Sequence, residues 1–118
     1  MFITFDSLTV LENVMFPLKM LTKKVEDEIV QRAKEAIKRV ELKEASQKLP
    51  SELSGGMQKR VAIARAIVMN PKYLFCDEPN SGLDPKTAIV IDNLIQEITK
   101  EYNITTVINS HDMNSVME

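Results

Sequence analysis

Two short apolar runs constrain the fold more than any other feature of the chain. Tyr73-Leu74-Phe75-Cys76 ends abruptly in Asp77-Glu78-Pro79, and Thr105-Thr106-Val107-Ile108 ends in Asn109-Ser110-His111-Asp112. Each reads as a buried strand bounded by turn-forming residues. Between them, Asp84-Pro85 is a helix start, an aspartate cap with proline in the first turn. Ala88, Ile91, Leu94, Ile95 and Ile98 recur at the spacing of one helix face. Strand, helix and strand in that order predict a parallel pair with a right-handed crossover. The polar strand ends then gather at one edge, where open α/β sheets bind their ligands.

The first seventy residues read as helical. Thr9 and Glu12 form a T-x-x-E capping box that opens a helix. Pro17 is expected to bend or stop it, because proline lacks an N–H and clashes with the preceding turn. A second helix starts after Thr22, with Val25, Ile29, Ala33, Ala36, Ile37 and Val40 on its buried face. A polar loop containing Pro50 follows. Leu53-Ser54-Gly55-Gly56-Met57-Gln58 then runs into Val61-Ala62-Ile63-Ala64-Arg65-Ala66-Ile67. Paired glycines make a poor helix interior but a good helix entrance. The run after them is apolar on most sides and predicts a well-buried helix, stopped by Pro71. Glu118 falls at what reads as the start of a further helix.

The chain has 118 residues, enough for one modest domain. Its formal net charge of −2 offers no electrostatic case for nucleic acid. No apolar run is long enough to span a membrane, and no secretion signal is visible. The single cysteine, Cys76, excludes an internal disulfide and reads as a small buried strand residue. These features fit the cytoplasm.

Asp77, Glu78 and His111 carry the chemistry at the strand ends. Paired carboxylates suit two jobs, holding a divalent metal and acting as a general base. A histidine on the neighbouring strand can bond a phosphate or orient a water. Taken singly, Asp77-Glu78-Pro79 is also a strand end entering a turn, and His111 a capping or surface histidine. Ser54-Gly55-Gly56 is a candidate anion site, since a helix start presents N–H groups and a positive dipole end. Alone it also reads as a flexible loop.

In this order and spacing, the pieces resemble the ATP-binding-cassette (ABC) ATPases. Leu53 to Gln58 resembles the family's signature motif, with Met57 after the two glycines and Gln58 next. Tyr73 to Glu78 resembles the Walker B strand with its following glutamate. Ser81-Gly82-Leu83-Asp84 resembles the D-loop, and His111 the switch histidine. The resemblance implies an α/β fold: a partial P-loop NTPase domain over residues 1–118, with a helical lobe and a truncated parallel sheet. It divides the chain into a helical subdomain over about 9–70 and part of the catalytic core over about 71–118. It implies ATP and Mg²⁺ as cofactors. Asp77 would hold the metal, usually through water, Glu78 would be the catalytic base, and His111 would contact the γ-phosphate. Ser54, Gly55, Gly56 and Gln58 would close over ATP bound to a second ATPase subunit, and Asp84 would reach across that dimer. The implied enzyme is the ATPase subunit of a transporter, peripheral on the inner face of the cell membrane and docked on an integral membrane permease. Met57 and the stretch Thr9 to Pro17 are similar to ATPases of MCE-type phospholipid transporters, which makes phospholipid the expected cargo.

The chain departs from the family pattern in one respect that matters for activity. No G-x-x-x-x-G-K-[ST] run occurs, and the three glycines are Gly55, Gly56 and Gly82. The amide cradle for the β- and γ-phosphates is therefore missing from these residues. The family's glutamine is also missing from Met1 to Phe5. The expectation is the middle of a cassette, cut at both ends and inactive by itself. Two other readings compete with a transporter ATPase. One is a non-catalytic module that binds a permease or a partner cassette. The other is an ABC ATPase acting on DNA or ribosomes, against which stand the lack of a coiled-coil insertion and of a basic stretch. Within Val14-Met15-Phe16-Pro17-Leu18-Lys19-Met20-Leu21, helical spacing should turn some side chains inward and leave others, such as Phe16 and Met20, at the surface as a permease-facing groove.

Overall fold

The computed structural model describes residues 6–70, 73–77 and 82–109, and for 73–77 and 106–109 the backbone alone. Helix α1 (Val10–Leu21) opens on the expected capping box. The Thr9 amide donates to Glu12 Oε1 at 2.9 Å, and the Glu12 amide donates to Thr9 Oγ1 at 3.2 Å. The amides of Val10 and Leu11 donate to the carbonyls of Lys48 and Ser46, each at 2.9 Å. All four donors that a helix start leaves without an internal acceptor thus have partners.

Pro17 does not stop α1, which runs on to Leu21. Its missing N–H would have served the Asn13 carbonyl, four residues earlier. Arg65 serves it instead, donating from Nε at 3.1 Å. The helix tolerates its proline because a side chain from elsewhere restores the lost bond.

Helix α2 (Glu26–Arg39) buries Ile29, Ala33, Ala36 and Ile37, as its periodicity predicts. Val25 departs from the prediction. It is the capping residue, and it is 69% exposed. Glu26, Asp27 and Glu28 crowd the first turn and Lys38 and Arg39 the last, matching the helix dipole at both ends. The helix closes in a Schellman motif: Glu41 takes φ 62°, and the Leu42 amide donates to the Ile37 carbonyl at 3.0 Å.

The segment read as a polar loop holds two 3₁₀ turns, Lys43–Ala45 and Pro50–Glu52. Glu52 Oε1 accepts from the Leu49 amide at 2.8 Å and fixes the second. Helix α3 (Gly55–Ile67) follows, with Val61, Ala62, Ile63, Ala64 and Ile67 buried, and packs against α1, α2 and helix α4 (Pro85–Glu101). It ends at Ile67 rather than being carried to Pro71, which lies outside the described residues; Asn70 turns the chain at φ 52°.

Strand β1 (Tyr73–Asp77) and strand β2 (Thr105–Asn109) run parallel, in register from Tyr73 opposite Thr105 to Asp77 opposite Asn109. Between them α4 buries Ile91, Leu94, Ile95 and Ile98, whereas Ala88 is only half-buried. Among the described residues, Leu18, Ile37, Ile63, Ile91 and Ile98 are the largest side chains sealed from solvent. Each such burial stabilises by about 1.5–3 kcal/mol. These five come from all four helices, so one apolar core joins them.

Arginines stitch this core at its rim. Arg32 donates to the Val68 carbonyl at 3.2 Å and Arg60 to the Val40 carbonyl at 2.9 Å, each a helix-end carbonyl without an internal donor. Arg39 at the end of α2 pairs with Glu101 and with Glu97 of α4.

Candidate functional site

The site is built on two helix starts. Ser54 caps α3 in an extended conformation, and its Oγ accepts from the Met57 amide at 3.2 Å. The Gln58 amide takes the Ser54 carbonyl at 2.9 Å, the first bond of the helix. The amides of Gly55 and Gly56 precede that bond, so helix geometry gives them no internal acceptor. Ser54 and Gly55 are exposed and Gly56 is buried.

Asp84 caps α4 in the same way. Its Oδ1 accepts from the Thr87 amide at 2.7 Å. Hydrogen bonds from the Thr87 side chain first, then its backbone, hold the Asp84 carboxyl below the ordinary carboxylate range. The two starts touch through the glycines. A Cβ on Gly56 would lie 2.8 Å from Thr87 Cγ2, and one on Gly55 would lie 3.3 Å from Leu83 Cδ2. Glycine at 56 is thus dictated by the close approach of α4. Next to this contact Gly82 takes φ 76°, a left-handed turn that glycine adopts without steric cost.

The structure therefore brings Ser54, Gly55, Gly56 and Asp84 to one place. Gln58 points elsewhere, its Nε2 donating to the Pro50 carbonyl at 3.0 Å. That bond ties the start of α3 to the 3₁₀ turn before it. Asp77 is the last residue of β1, level with Asn109 at the end of β2. Glu78, Ser81 and His111 lie outside the described residues, as do Met1 to Phe5 and Glu118. Among the described residues no group of acidic, histidine or cysteine side chains has metal-site geometry. For ATP, the exposed edge of the α3 start at Ser54 and Gly55 would suit a phosphate, since the helix dipole is positive there and Gly55 carries no Cβ, whereas Gly56 is buried against Thr87.

Sequence reasoning did not single out Thr87, Asn13 or Arg65. Thr87 sets the glycine requirement at 56. Asn13 is sealed from solvent, with Nδ2 donating to the carbonyls of Leu8 and Thr9, each at 3.1 Å. A buried polar residue inside an apolar helix face was the available signal.

Of the surface stretch, Val14, Met15 and Leu18 are buried, Phe16 is half-buried and Met20 is 66% exposed. Leu21 beside it is exposed as well. Among the described residues no helix is long and apolar enough to cross a membrane.

A helical lobe whose last helix meets, through glycine, the helix of a strand–helix–strand unit makes this an α/β protein, and its solved neighbours give the class as the ABC-type P-loop NTPase fold. The chain is similar to cbiO1 from Clostridium perfringens, described as part of the ABC transporter complex cbiONQ, with TM-score 0.83 and 41% identity over 92% of this chain and 43% of that one. It is similar to the ATP-binding cassette MJ0796, solved as a dimer bound to ADP and Pi, with TM-score 0.78 and 39% identity over 96% of this chain and 50% of that one. The family model described as ABC transporter matches residues 3–81, and the chain belongs to the ABC transporter family.

Among curated relatives, the methionine import ATP-binding protein MetN 1 of Bacillus thuringiensis is 43% identical over 114 residues, 97% of this chain. MetN 1 of Staphylococcus aureus is 43% identical over 113 residues, 96% of this chain. The chain spans about a third of the length of these relatives, 33% in each case. Their names lend no support to the phospholipid expectation. Met57, on which that expectation leaned, is half-buried against the helical core.

Proposed function

We propose that the chain is part of the ATP-hydrolysing subunit of an ABC transporter and couples hydrolysis to passage of a solute across a membrane. The observation that carries this reading is the glycine-lined start of α3 held against the Asp84-capped start of α4. Ser54, Gly55 and Gly56 would offer amides and a hydroxyl to the terminal phosphates of ATP on a second subunit, and Asp84 would face that subunit. Asp77 would hold Mg²⁺, Glu78 would take the proton of the attacking water, and His111 would bond the γ-phosphate. The role of Gln58 would be indirect, through its grip on the Pro50 carbonyl. Mg²⁺ would supply charge neutralisation at the phosphates; positioning is the chain's own share.

The parallel pair β1–β2 with α4 would belong to a larger catalytic core over about 71–118, and the helices over about 9–70 to the helical subdomain. The relatives' names favour methionine as the cargo, with an integral membrane permease and a second ATPase subunit as partners at the inner face of the membrane. The exposed Met20 and Leu21 would face the permease. The 118 residues alone would hydrolyse no ATP above background, since they hold no phosphate-binding loop.

A chimaera tests the reading. Residues 6–118 replace the matching stretch of a methionine import ATP-binding protein, and Mg²⁺-dependent phosphate release is measured. Hydrolysis that falls to background on Glu78→Gln supports the proposal. A folded chimaera that binds ATP and never hydrolyses it would overturn it.

A further inference from the structure

The bond between Arg65 and the Asn13 carbonyl joins residues 52 apart in sequence and crosses from α3 to α1. Its acceptor is unusual. An α-helical carbonyl is normally served by the amide four residues on, which here belongs to Pro17 and carries no hydrogen. A carbonyl left without its donor inside a packed interface destabilises the fold, because it gives up its bond to water and gains none in return. The Arg65 guanidinium reaches it from a half-buried position, and burial pushes its pKa below the usual arginine value. Arginine nonetheless stays charged at physiological pH, so the bond is charge-assisted.

The Asn13 side chain completes the arrangement. Sealed from solvent, its amide group binds the carbonyls of Leu8 and Thr9 at the start of α1. One residue thus holds the start of α1 with its side chain and a neighbouring helix with its carbonyl. Apolar packing between α1 and α3 is non-directional and tolerates sliding and rotation. A bond to one carbonyl, available only where proline has removed the competing donor, does not.

We infer that Arg65 is a positioning residue: it fills the donor place vacated by Pro17 and thereby fixes α3, with its Ser54-Gly55-Gly56 start, against α1. The consequence at that start rests on the proposed function; the proline-dependent bond does not. Under that reading the bond ties α1, whose far end carries Met20 and Leu21, to the helix that closes over ATP.

The logic makes a selective demand. Pro17→Ala returns an amide to Asn13, so Arg65 loses its special acceptor. The test compares the 118-residue chain as wild type, Arg65→Met, Pro17→Ala and the double variant. The readouts are urea unfolding followed by circular dichroism and amide exchange at Met57 and Gln58, whose amides are bonded to Ser54 at the start of α3. Arg65→Met should lower the urea midpoint and speed exchange at both amides. In the Pro17→Ala background the midpoint loss from Arg65→Met should shrink by about twofold or more, as expected of directly coupled sites, and exchange should return towards wild type. Equal losses in both backgrounds would overturn the inference. A midpoint loss without change at Met57 and Gln58 would overturn the positioning role. If Arg65→Met does not fold, recovery of the fold in the double variant supports the inference and failure of both overturns it. None of these outcomes bears on ATP hydrolysis by the chimaera, so the two readings fail separately.

Discussion

Adding one methyl group at position 56 should separate packing from helix propensity. In Gly56→Ala the new Cβ would lie 2.8 Å from Thr87 Cγ2. Carbon atoms in contact prefer about 3.5–4.0 Å, so the shortfall is most of an ångström. Thr87 cannot turn away cheaply. It is β-branched, hence stiff at its first side-chain torsion, and its amide is held by Asp84 at 2.7 Å. Overpacking of this kind costs about 1–3 kcal/mol. Against it stands the preference of helices for alanine over glycine, at most about 1 kcal/mol and less in a first turn. The clash wins, and we expect a net loss of about 1 kcal/mol, a fall in Tm of about 4 °C for a domain of this size. Gly55→Ala is the control. Its Cβ would meet Leu83 Cδ2 at 3.3 Å, the end of a flexible side chain, and should cost little. Gly56→Ala/Thr87→Ser removes the offending methyl and should recover most of the loss. Thermal unfolding of the four proteins decides the matter. A Gly56→Ala chain more stable than wild type, or no recovery in the double variant, would refute the claim that the approach of α4 dictates glycine at 56.

Four further outcomes are expected. Thr9→Ala removes the acceptor for the Glu12 amide and should destabilise α1 by about 1 kcal/mol, read from the urea midpoint. Glu41→Gly relieves a non-glycine residue at φ 62° and should stabilise by about 1 kcal/mol, because the exposed pair it forms with Arg60 contributes little. The Asp84 carboxyl is depressed in the folded chain, so its cap is fully present above the unfolded pKa and is lost as pH falls through the folded one. The protection factor of the Thr87 amide, its exchange referred to the intrinsic rate at each pH, should therefore fall on acidification in wild type and stay flat in Asp84→Asn. Finally, Met20→Asp should weaken capture of the detergent-solubilised permease without loss of helical content; equal capture by both chains would remove Met20 from that surface.

Local chemistry made much of this legible. The caps Thr9 and Asp84 announce themselves because a cap and the amide that donates to it lie within three residues of each other. The buried faces of α2 and α4 follow from spacing alone. What sequence reasoning missed depends on distant partners. Pro17 reads as a stop until Arg65 is placed beside Asn13. Val25 fits the apolar period but falls one residue before the helix begins. The 43–52 segment looks irregular because its 3₁₀ turns are fixed by single bonds, such as that from Leu49 to Glu52. The glycine pair was read as room for phosphate, and the structure adds that Gly56 makes room for Thr87. Glu78 and His111, singled out by the polar ends of the two strands and given roles by the family resemblance, lie outside the described residues.

The carbonyls of Ser46 and Lys48 that receive the first amides of α1 have a consequence for how this chain can vary. They close residues 10 to 48 into a ring whose fastener is backbone, so a side-chain replacement at 10 or 11 takes a donor away only if it brings in proline. Two connections of similar exposure then differ sharply in latitude. The link between α1 and α2, residues 22–25, lies inside the ring, where extra residues merely enlarge a loop at a cost that grows only with the logarithm of its length. An insertion between Ser46 and Lys48 would shift the fastener itself and strip the start of α1 of two acceptors. Length variation among homologues should therefore concentrate at 22–25 and avoid 46–48, whatever side chains those positions carry.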